Sequence, residues 1–325
     1  MSTTPAAIPE RTLDVAVLIP CLNEAAGIGS VVSEFRRALP AATIYVYDNG
    51  SNDDTAAVAA AAGAEVRTEP MRGKGNVVRR MFADIEAEVF VMVDGDGTYH
   101  AASAPEMIEL LRSKQLDMVC GKRVESDGAA YRSGHRFGNR VLTGLVAMLF
   151  GNQVSDILSG YRVMSRRFVK SFPALSRGFE TETELTVHAL DLRAPVAELA
   201  TPYGSRVTGS VSKLNTFGDG SRILRAIVRL VKEERPLAFF TSAAVALAAM
   251  SVILAVPLFI TFMETGLVPR LPTAILSTGL MLVAVLSFVC GLILDTVTRG
   301  RRELKRMHYL SHPGVPQRRR STDRT

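Results

Sequence analysis

The chain has 325 residues, enough for two modules, and its three cysteines are too few for a disulfide framework or a four-ligand zinc site. Hydrophobic residues make up 47% of it, and the net charge is +6. The basic residues crowd around long apolar runs, where anionic lipid headgroups are a simpler partner than nucleic acid, so we expect no nucleic-acid binding. Residues 1–14 contain no apolar stretch of signal-peptide length and are expected to be a disordered leader.

Short apolar runs alternate with helix-like segments from Val15 onward. Strands are predicted for VAVLIP, TIYVYD, VFVMVD and DMVCG, and helices for residues 26–39, 53–62, 75–86 and 104–113. This alternation is typical of an α/β domain whose mostly parallel sheet carries helices on both faces. Pro20, Asp48 and Asp94 stand at the carboxyl ends of three of these strands, where such sheets bind ligands. We therefore expect the three strand ends to line one cleft.

After Gly121 the strand rhythm fades into basic, glycine-containing segments and an acidic helix-like stretch, FETETELTVHALDL. Residues 15–217 are interpreted as one catalytic domain. The half after Gly121 is interpreted as the part that would face a second substrate, the acceptor. Glu180, Glu182 and Glu184 alternate along the acidic stretch. Acids at the start of a helix complement its dipole, and for two of these three glutamates that role is the preferred interpretation.

The last third of the chain has the pattern of a membrane anchor. Residues 218–236 place apolar and basic residues on opposite sides of a helix, which predicts an amphipathic interfacial helix. Leu237–Phe262 and Leu271–Leu294 are uncharged runs of 26 and 24 residues, each longer than the roughly 20 needed to cross a bilayer. We therefore predict a two-helix transmembrane hairpin over 237–296; the alternative is two buried core helices of a soluble protein.

Charge placement predicts the orientation of this hairpin. The loop of residues 263–270 carries one acid and one base, whereas basic residues flank both outer ends, including the tail of residues 297–325. The protein is therefore expected in the cytoplasmic membrane as a multi-pass protein, with its catalytic domain and both termini in the cytosol. Two spans anchor better when several chains pack together, which favours a homo-oligomer, a dimer or a tetramer, although the sequence leaves this state open.

The sharpest chemical motif is Asp94-Gly95-Asp96 at the end of an apolar strand. Two carboxylates at a sheet edge are hard oxygen ligands that suit Mg²⁺ or Mn²⁺ bridging a diphosphate. An EF-hand is excluded because Tyr99 stands where its glycine belongs. The glycines at 27 and 29 lack the third glycine of a dinucleotide fingerprint. The GKG segment at 73–75 lacks the Ser or Thr and the upstream glycine of a P-loop.

These motifs, in this order, resemble glycosyltransferase family 2 over about residues 15–214. The resemblance lies in IPCLNE (19–24), YDNGSNDDT (47–55), RGKGN (72–76), DGD (94–96), SGYR (159–162) and R-x-x-G-x-x-SK (206–213). It implies a nucleotide-sugar-binding fold of the GT-A type. The paired apolar runs resemble the membrane-anchored branch of the family, which uses lipid phosphates as acceptors.

The resemblance also implies residue roles. Asp94 and Asp96 would bind the metal and the diphosphate, and Arg123 would meet the acceptor phosphate. A second side chain that contacts the acceptor phosphate is expected among His135, Arg136 and Arg140, and Arg136 is favoured. Asp96, Arg123 and Arg136 are therefore the expected catalytic residues. The donor nucleotide sugar would be bound by Pro20, Leu22, Glu24, Asp48, Lys74, Asp94, Gly95, Arg206, Ser212 and Lys213.

We therefore expect an inverting transferase that moves one sugar from a nucleotide sugar to a polyprenyl phosphate such as undecaprenyl phosphate. UDP-glucose is favoured as the donor, and GDP-mannose is the next choice. A processive polysaccharide synthase is a rival, but its family motif needs tryptophan, and this chain has none. A non-catalytic nucleotide-sugar-binding membrane scaffold is the second rival, which the DGD and R-x-x-G-x-x-SK motifs disfavour. A channel or transporter subunit is a third rival. It would need polar residues in the spans, and the polar residues found there are only Ser, Thr and Cys.

Overall fold

The computed structural model describes residues 13–125, 155–174, 181–204 and 231–316. They fall into two compact units, residues 1–219 with 306–325, and residues 220–305. The first unit contains a seven-stranded sheet in the order β3-β2-β1-β4-β6-β5-β7. The strands are β1 (Val15–Cys21), β2 (Thr43–Asp48), β3 (Glu65–Thr68), β4 (Val89–Met92), β5 (Met118–Glu125), β6 (Arg162–Ser165) and β7 (Val196–Tyr203).

The sheet is mostly parallel, as the sequence predicts. Strand β1 pairs in parallel with β2 and β4, and β5 pairs in parallel with β7. Strand β6 lies antiparallel between β4 and β5. The carboxyl ends of the parallel strands therefore share one edge of the sheet with the amino end of β6.

Helices cover both faces of this sheet, so strand residues are buried alternately on one side and the other. Val17 and Ile19 pack into one core, and Ala16 and Leu18 pack into the other. The helices of this unit are α1 (Ala25–Ala38), α2 (Thr55–Ala61), α3 (Lys74–Asp84), α4 (Ala104–Ser113), α5 (Arg166–Ser171) and α6 (Thr181–Leu192). The two cores confirm the α/β architecture predicted from the alternating pattern.

The second unit contains two long apolar helices, α7 (Pro236–Thr265) and α8 (Leu271–Leu310). Their most apolar windows have mean hydropathies of 2.6 and 2.4 and are only 11% buried, unlike core helices of a soluble protein. Both are long and apolar enough to cross a membrane. The predicted interfacial helix lies mostly outside the described residues, and residues 231–234 at its end are helical.

Small residues line the contact between α7 and α8. Ser251 and Ser277 each donate a side-chain hydrogen bond to the other's backbone carbonyl, at 2.7 and 3.0 Å. Ala284 and Gly291 continue the buried face of α8 at seven-residue spacing. A β-carbon at Gly291 would lie 3.0 Å from Phe240 Cβ, so glycine permits the close approach of the helices.

Basic residues of α8 bind the backbone just before α7. Arg301 donates to the carbonyl oxygen of Glu233 at 3.0 Å, and Arg302 donates to that of Glu234 at 2.6 Å. The carboxylate of Glu234 pairs with both arginines. These contacts satisfy carbonyls that the end of a helix leaves without partners, and cations are favoured there by the helix dipole.

The end of α8 and the residues after it belong to the first unit. The Tyr309 hydroxyl donates to the buried carboxylate of Asp117 at 2.5 Å, and Arg167 binds the same carboxylate. Val315 is buried in the core that contains Val17. Asp117 precedes β5, so these contacts lie at the amino end of that strand, away from the carboxyl-end edge.

Candidate active site

The predicted convergence of strand ends is present in the fold. Register pairs Cys21 with Asp48 across β1 and β2, and β4 lies on the other side of β1 and leads into Asp94. The amino end of the antiparallel β6 brings Gly160 to the same edge, where its missing side chain leaves room for the Asp94 carboxylate. The donor-side residues therefore share one edge with the loop before β6.

Two loops that carry donor-site residues are bonded to each other. Asp48, at the end of β2, accepts hydrogen bonds from the backbone N–H and the hydroxyl of Ser51. The backbone N–H of Glu24 donates to Thr55 at 2.8 Å, and that of Asn23 donates to Ser51 at 2.8 Å. Pro20 and Leu22 are half-buried in the same segment. This cross-bonding fixes the backbone on which a base and ribose would rest.

Asn49 holds the turn that leads into α3. Its amide donates to the carbonyls of Glu69 and Met71 at 2.8 and 2.9 Å, and its side-chain oxygen accepts from the Gly73 N–H at 2.7 Å. Gly73 has a φ of 124°, a conformation that other residues rarely adopt. The turn places Lys74 at the first position of α3.

The DGD segment is tightly packed. A β-carbon at Gly95 would lie 2.6 Å from the Cys21 sulfur, so only glycine fits between the two aspartates. Asp96 is buried and accepts hydrogen bonds from the N–H and hydroxyl of Thr98 at 3.2 and 2.7 Å. Asp94 is more open, with 31% of its side chain exposed. The two carboxylates thus differ in solvent exposure although they are two residues apart.

The two carboxylates of the DGD motif suit a divalent metal that also binds a substrate phosphate. No group of three or more His, Cys, Asp or Glu side chains with metal-binding geometry occurs among the described residues. Mg²⁺ is commonly bound by one or two carboxylates together with substrate phosphates rather than by a full protein cage. Asp94 and Asp96 provide that smaller set of hard oxygen ligands.

Lys74 lies beside this motif. Its ammonium binds the Asp94 carboxylate at 2.5 Å and forms a second ion pair with Glu182 at the start of α6. Burial by itself would lower the pKa of Lys74, but the charges of Asp94 and Glu182 outweigh it and raise that pKa. Lys74 is therefore a buried cation beside the DGD motif.

Arg123 is held by a carboxylate that the sequence analysis did not identify. Its guanidinium donates two hydrogen bonds to Asp156, at 2.8 and 2.7 Å, and its backbone N–H donates a third. The Asp156 side chain is 8% exposed and that of Arg123 is 12% exposed. Burial opposes ionisation of Asp156, but the hydrogen bonds and charge of Arg123 hold its pKa below the usual value.

Tyr99 connects the arginine side of the site to the carboxylate side. Its hydroxyl accepts from the Gly160 N–H at 2.9 Å, and its ring packs on Tyr203 at 5.2 Å between centroids. Arg123 lies over the Tyr203 ring at 5.5 Å. Burial raises the pKa of Tyr99, while Arg123 lowers it and Asp94 raises it, so both charges act on this one hydroxyl.

Arg162 is fully buried and fixes the loop before β6 to α6. Its guanidinium donates to the carbonyls of Ser159, Ile157 and Glu182 at 3.1, 2.8 and 2.9 Å. It also donates to the Thr186 hydroxyl at 2.9 Å. The role of Arg162 is to position the first turn of α6, and with it Glu182.

Six residues expected at the site lie outside the described residues. They are His135, Arg136, Arg140, Arg206, Ser212 and Lys213. Asp156 was missed because nothing in DILSGYR marks it as the partner of an arginine 33 positions earlier. Glu182 was seen in the sequence only as one of three alternating acids; the contact with Lys74 distinguishes it.

Comparison with known proteins identifies relatives of this chain. The family model described as "Glycosyl transferase family 2" matches residues 16–172. The chain is 33% identical over 300 residues to glycosyltransferase AglJ of Haloferax volcanii, covering 91% of this chain and 98% of that protein. It is 28% identical to a dolichyl-phosphate hexose transferase of the same organism, over 68% of this chain and 96% of that protein.

A solved structure also shares the fold. Glucosyl-3-phosphoglycerate synthase from Mycobacterium tuberculosis, solved with Mn²⁺, uridine diphosphate and phosphoglyceric acid, superposes with a TM-score of 0.55 at 26% identity. The match covers 68% of this chain and 78% of that one.

Proposed function

Since the chain belongs to glycosyltransferase family 2, we propose that it transfers one sugar from a nucleotide sugar to a polyprenyl phosphate, undecaprenyl phosphate being the model acceptor. UDP-glucose is the favoured donor and GDP-mannose the next. The dolichyl-phosphate hexose transferase among the relatives supports a lipid phosphate as acceptor. The synthase solved with Mn²⁺ and uridine diphosphate supports a divalent cation and a nucleoside diphosphate on the donor side.

The observation that carries the proposal is the arrangement around Tyr99. The Tyr99 hydroxyl accepts from the N–H of Gly160, against which the Asp94 carboxylate lies, and the Tyr99 ring packs on Tyr203, over which the Arg123 guanidinium lies. A group suited to metal binding and a group suited to anion binding are therefore joined through one pair of aromatic rings. A phosphate bound by Arg123 would therefore lie close to the diphosphate bound through Asp94. Transfer between two phosphate-bearing substrates needs such an arrangement.

The acceptor needs no strong base. A phosphate monoester has a second pKa near 6, so it is mostly dianionic at pH 7 and carries a nucleophilic oxygen. In the reaction a phosphate oxygen bonds to the anomeric carbon of the sugar, and the bond from that carbon to the diphosphate breaks. The electron pair leaves with the nucleoside diphosphate.

The chain's own residues would bind and orient these charges. Asp94 and Asp96 would hold the divalent cation, which when bound supplies charge neutralisation for the leaving diphosphate. Lys74 adds a positive charge beside these carboxylates. Arg123, oriented by Asp156, would pair with the acceptor phosphate and offset the cost of removing a dianion from water.

The two apolar helices complete the proposal. Helices α7 and α8 would cross the cytoplasmic membrane as a hairpin, with the catalytic unit and both termini in the cytosol. Basic residues follow the apolar part of α8, as the positive-inside rule requires of a cytosolic end. The acceptor phosphate of a polyprenyl lipid lies at headgroup level, which explains why a transferase of this kind would carry such an anchor.

A donor screen tests the proposal. The purified full-length chain is incubated with undecaprenyl phosphate, Mg²⁺ or Mn²⁺, and separately with UDP-glucose, UDP-N-acetylhexosamines and GDP-mannose. Mass spectrometry of the lipid fraction should show one hexose added from a single donor, UDP-glucose first. A polymeric product would favour a processive synthase. Nucleotide binding without any transfer would favour the scaffold, and either result would refute the proposal.

A further inference from the structure

A largely buried cluster of charges lies beside the DGD motif, at the carboxyl-end edge of the sheet. Lys74 forms ion pairs with Asp94 and Glu182, and only 11% of the lysine side chain and 5% of the glutamate side chain are exposed. The second carboxylate oxygen of Glu182, Oε2, is buried and has no hydrogen-bond partner among the residues that the structure describes. A buried carboxylate oxygen without a partner is costly, and a second hydrogen bond from the neighbouring Lys74 ammonium would remove that cost.

The cluster also places two cations in competition. Lys74 binds Oδ1 of Asp94, the carboxylate that the DGD motif offers to a divalent cation. An ammonium ion and a divalent cation repel each other strongly at such a distance in a partly buried site. A metal that takes Asp94 must therefore displace the lysine, and Glu182 is the second carboxylate within the lysine's reach.

We propose that Lys74 stands in for the divalent cation at Asp94 until the nucleotide diphosphate arrives, and that Glu182 is the positioning residue that retains Lys74 once the metal takes Asp94. The free enzyme then binds metal weakly, because Asp94 is already neutralised. The diphosphate brings negative charge that favours both the metal and the displaced ammonium. Metal and nucleotide therefore bind cooperatively. The inference rests on the metal-dependent donor site of the proposed function and does not involve the acceptor.

The fixed position of Glu182 supports this role. Arg162 binds the backbone carbonyl of Glu182 and the Thr186 hydroxyl one turn later, so the first turn of α6 is tied to the loop before β6. Lys74 is equally constrained, because Asn49 fixes the turn before it. A lysine side chain that moves between two fixed carboxylates needs no movement of the backbone.

The test measures Mn²⁺ binding by the loss of the free-ion signal in electron paramagnetic resonance, on the full-length chain, with and without UDP. In the wild-type protein UDP should raise the Mn²⁺ affinity about tenfold or more. The variant Lys74→Met should bind Mn²⁺ about tenfold more tightly than wild type in the absence of UDP, and UDP should add less. Glu182→Gln should weaken Mn²⁺ binding, since Lys74 then has Asp94 as its remaining carboxylate partner in the cluster.

The double variant Lys74→Met/Glu182→Gln is the decisive one. It removes one positive and one negative charge, so it keeps the net charge of the site, and it avoids leaving an uncompensated buried carboxylate that would threaten folding. Mn²⁺ binding tighter than wild type without UDP supports displacement of Lys74 from Asp94. Binding equal to wild type overturns the inference. The exposed Lys114→Met is the matched control and should leave Mn²⁺ binding unchanged.

The outcomes separate this inference from the proposed function. Mn²⁺ binding that follows the expected pattern, without any sugar transfer to a lipid phosphate, supports the inference and refutes only the acceptor. If no variant binds Mn²⁺ even with UDP, the inference and the metal-dependent donor site are both overturned.

Discussion

The pair formed by Arg123 and Asp156 gives a quantitative prediction for the variant Asp156→Asn. The wild-type carboxylate accepts two guanidinium hydrogen bonds and one backbone hydrogen bond in a mostly buried setting. Charged hydrogen bonds contribute about 1.5–3 kcal/mol each, and removing one partner of a buried pair costs about 3–5 kcal/mol. Asparagine keeps the shape and one acceptor oxygen, so we expect a loss of about 2–4 kcal/mol in the free energy of unfolding.

The assay is thermal unfolding of the full-length chain followed by circular dichroism, since the chain lacks tryptophan. For a domain of this size 1 kcal/mol shifts Tm by about 2–4 °C, so a loss of about 2–4 kcal/mol should lower the Tm of the variant by roughly 4–16 °C at pH 7. The control is Glu65→Gln, which alters the exposed pair between Glu65 and Arg67. Exposed pairs contribute little, and its Tm should change by no more than about 2 °C.

The pH dependence gives a second check on the same variant. The pKa of Asp156 is lowered in the folded state, so its stabilisation is fully present above the unfolded pKa of about 4 and is lost as the pH falls through the folded value. The Tm difference between wild type and Asp156→Asn should therefore shrink below about pH 4. A variant as stable as wild type at pH 7, or a difference that does not depend on pH, would refute the argument.

Three further substitutions test other contacts. Asp96→Asn should lower kcat at least about a hundredfold while the circular dichroism spectrum stays that of wild type; retained activity would remove Asp96 from the metal site. Gly160→Ala places a methyl group against the Asp94 carboxylate, and it should weaken Mn²⁺–UDP binding measured by calorimetry, whereas unaltered binding would mean that the carboxylate moves aside easily. Tyr309→Phe removes a hydrogen bond to the buried Asp117 and should cost about 1–3 kcal/mol in thermal unfolding; an unshifted Tm would show that this contact contributes nothing.

Hydrophobic pattern was sufficient to predict the centre of the sheet. The strands β1, β2, β4 and β5 are apolar runs, and their ends carry the residues that converge at the site. The short strands β3 and β6 and the edge strand β7 were not predicted. Strand β3 is half-exposed and polar. Strand β6 begins with Arg162, a charge that the sequence alone would place in solvent but that is buried and donates to three backbone carbonyls and the Thr186 hydroxyl.

The carboxylates at the strand ends were easier to predict than the side-chain contacts between distant parts of the chain. Asp48, Asp94 and Asp96 follow apolar strands directly, so local pattern identifies them. The ion pairs of the two cations join positions far apart in the chain: Lys74 meets Glu182, and Arg123 meets Asp156. Such pairs depend on the antiparallel insertion of β6 and on the placement of α6, which local periodicity does not encode.

A competition between acceptors tests the lipid-phosphate specificity of the enzyme most directly. With the preferred donor and Mn²⁺, the full-length chain is offered undecaprenyl phosphate in mixed micelles and phosphoglyceric acid in solution, and both products are quantified by mass spectrometry. The expected products are a lipid-linked monosaccharide and no sugar on the soluble acid, and the lipid product should be lost in Asp96→Asn. Transfer to the soluble acid in preference to the lipid would contradict this specificity.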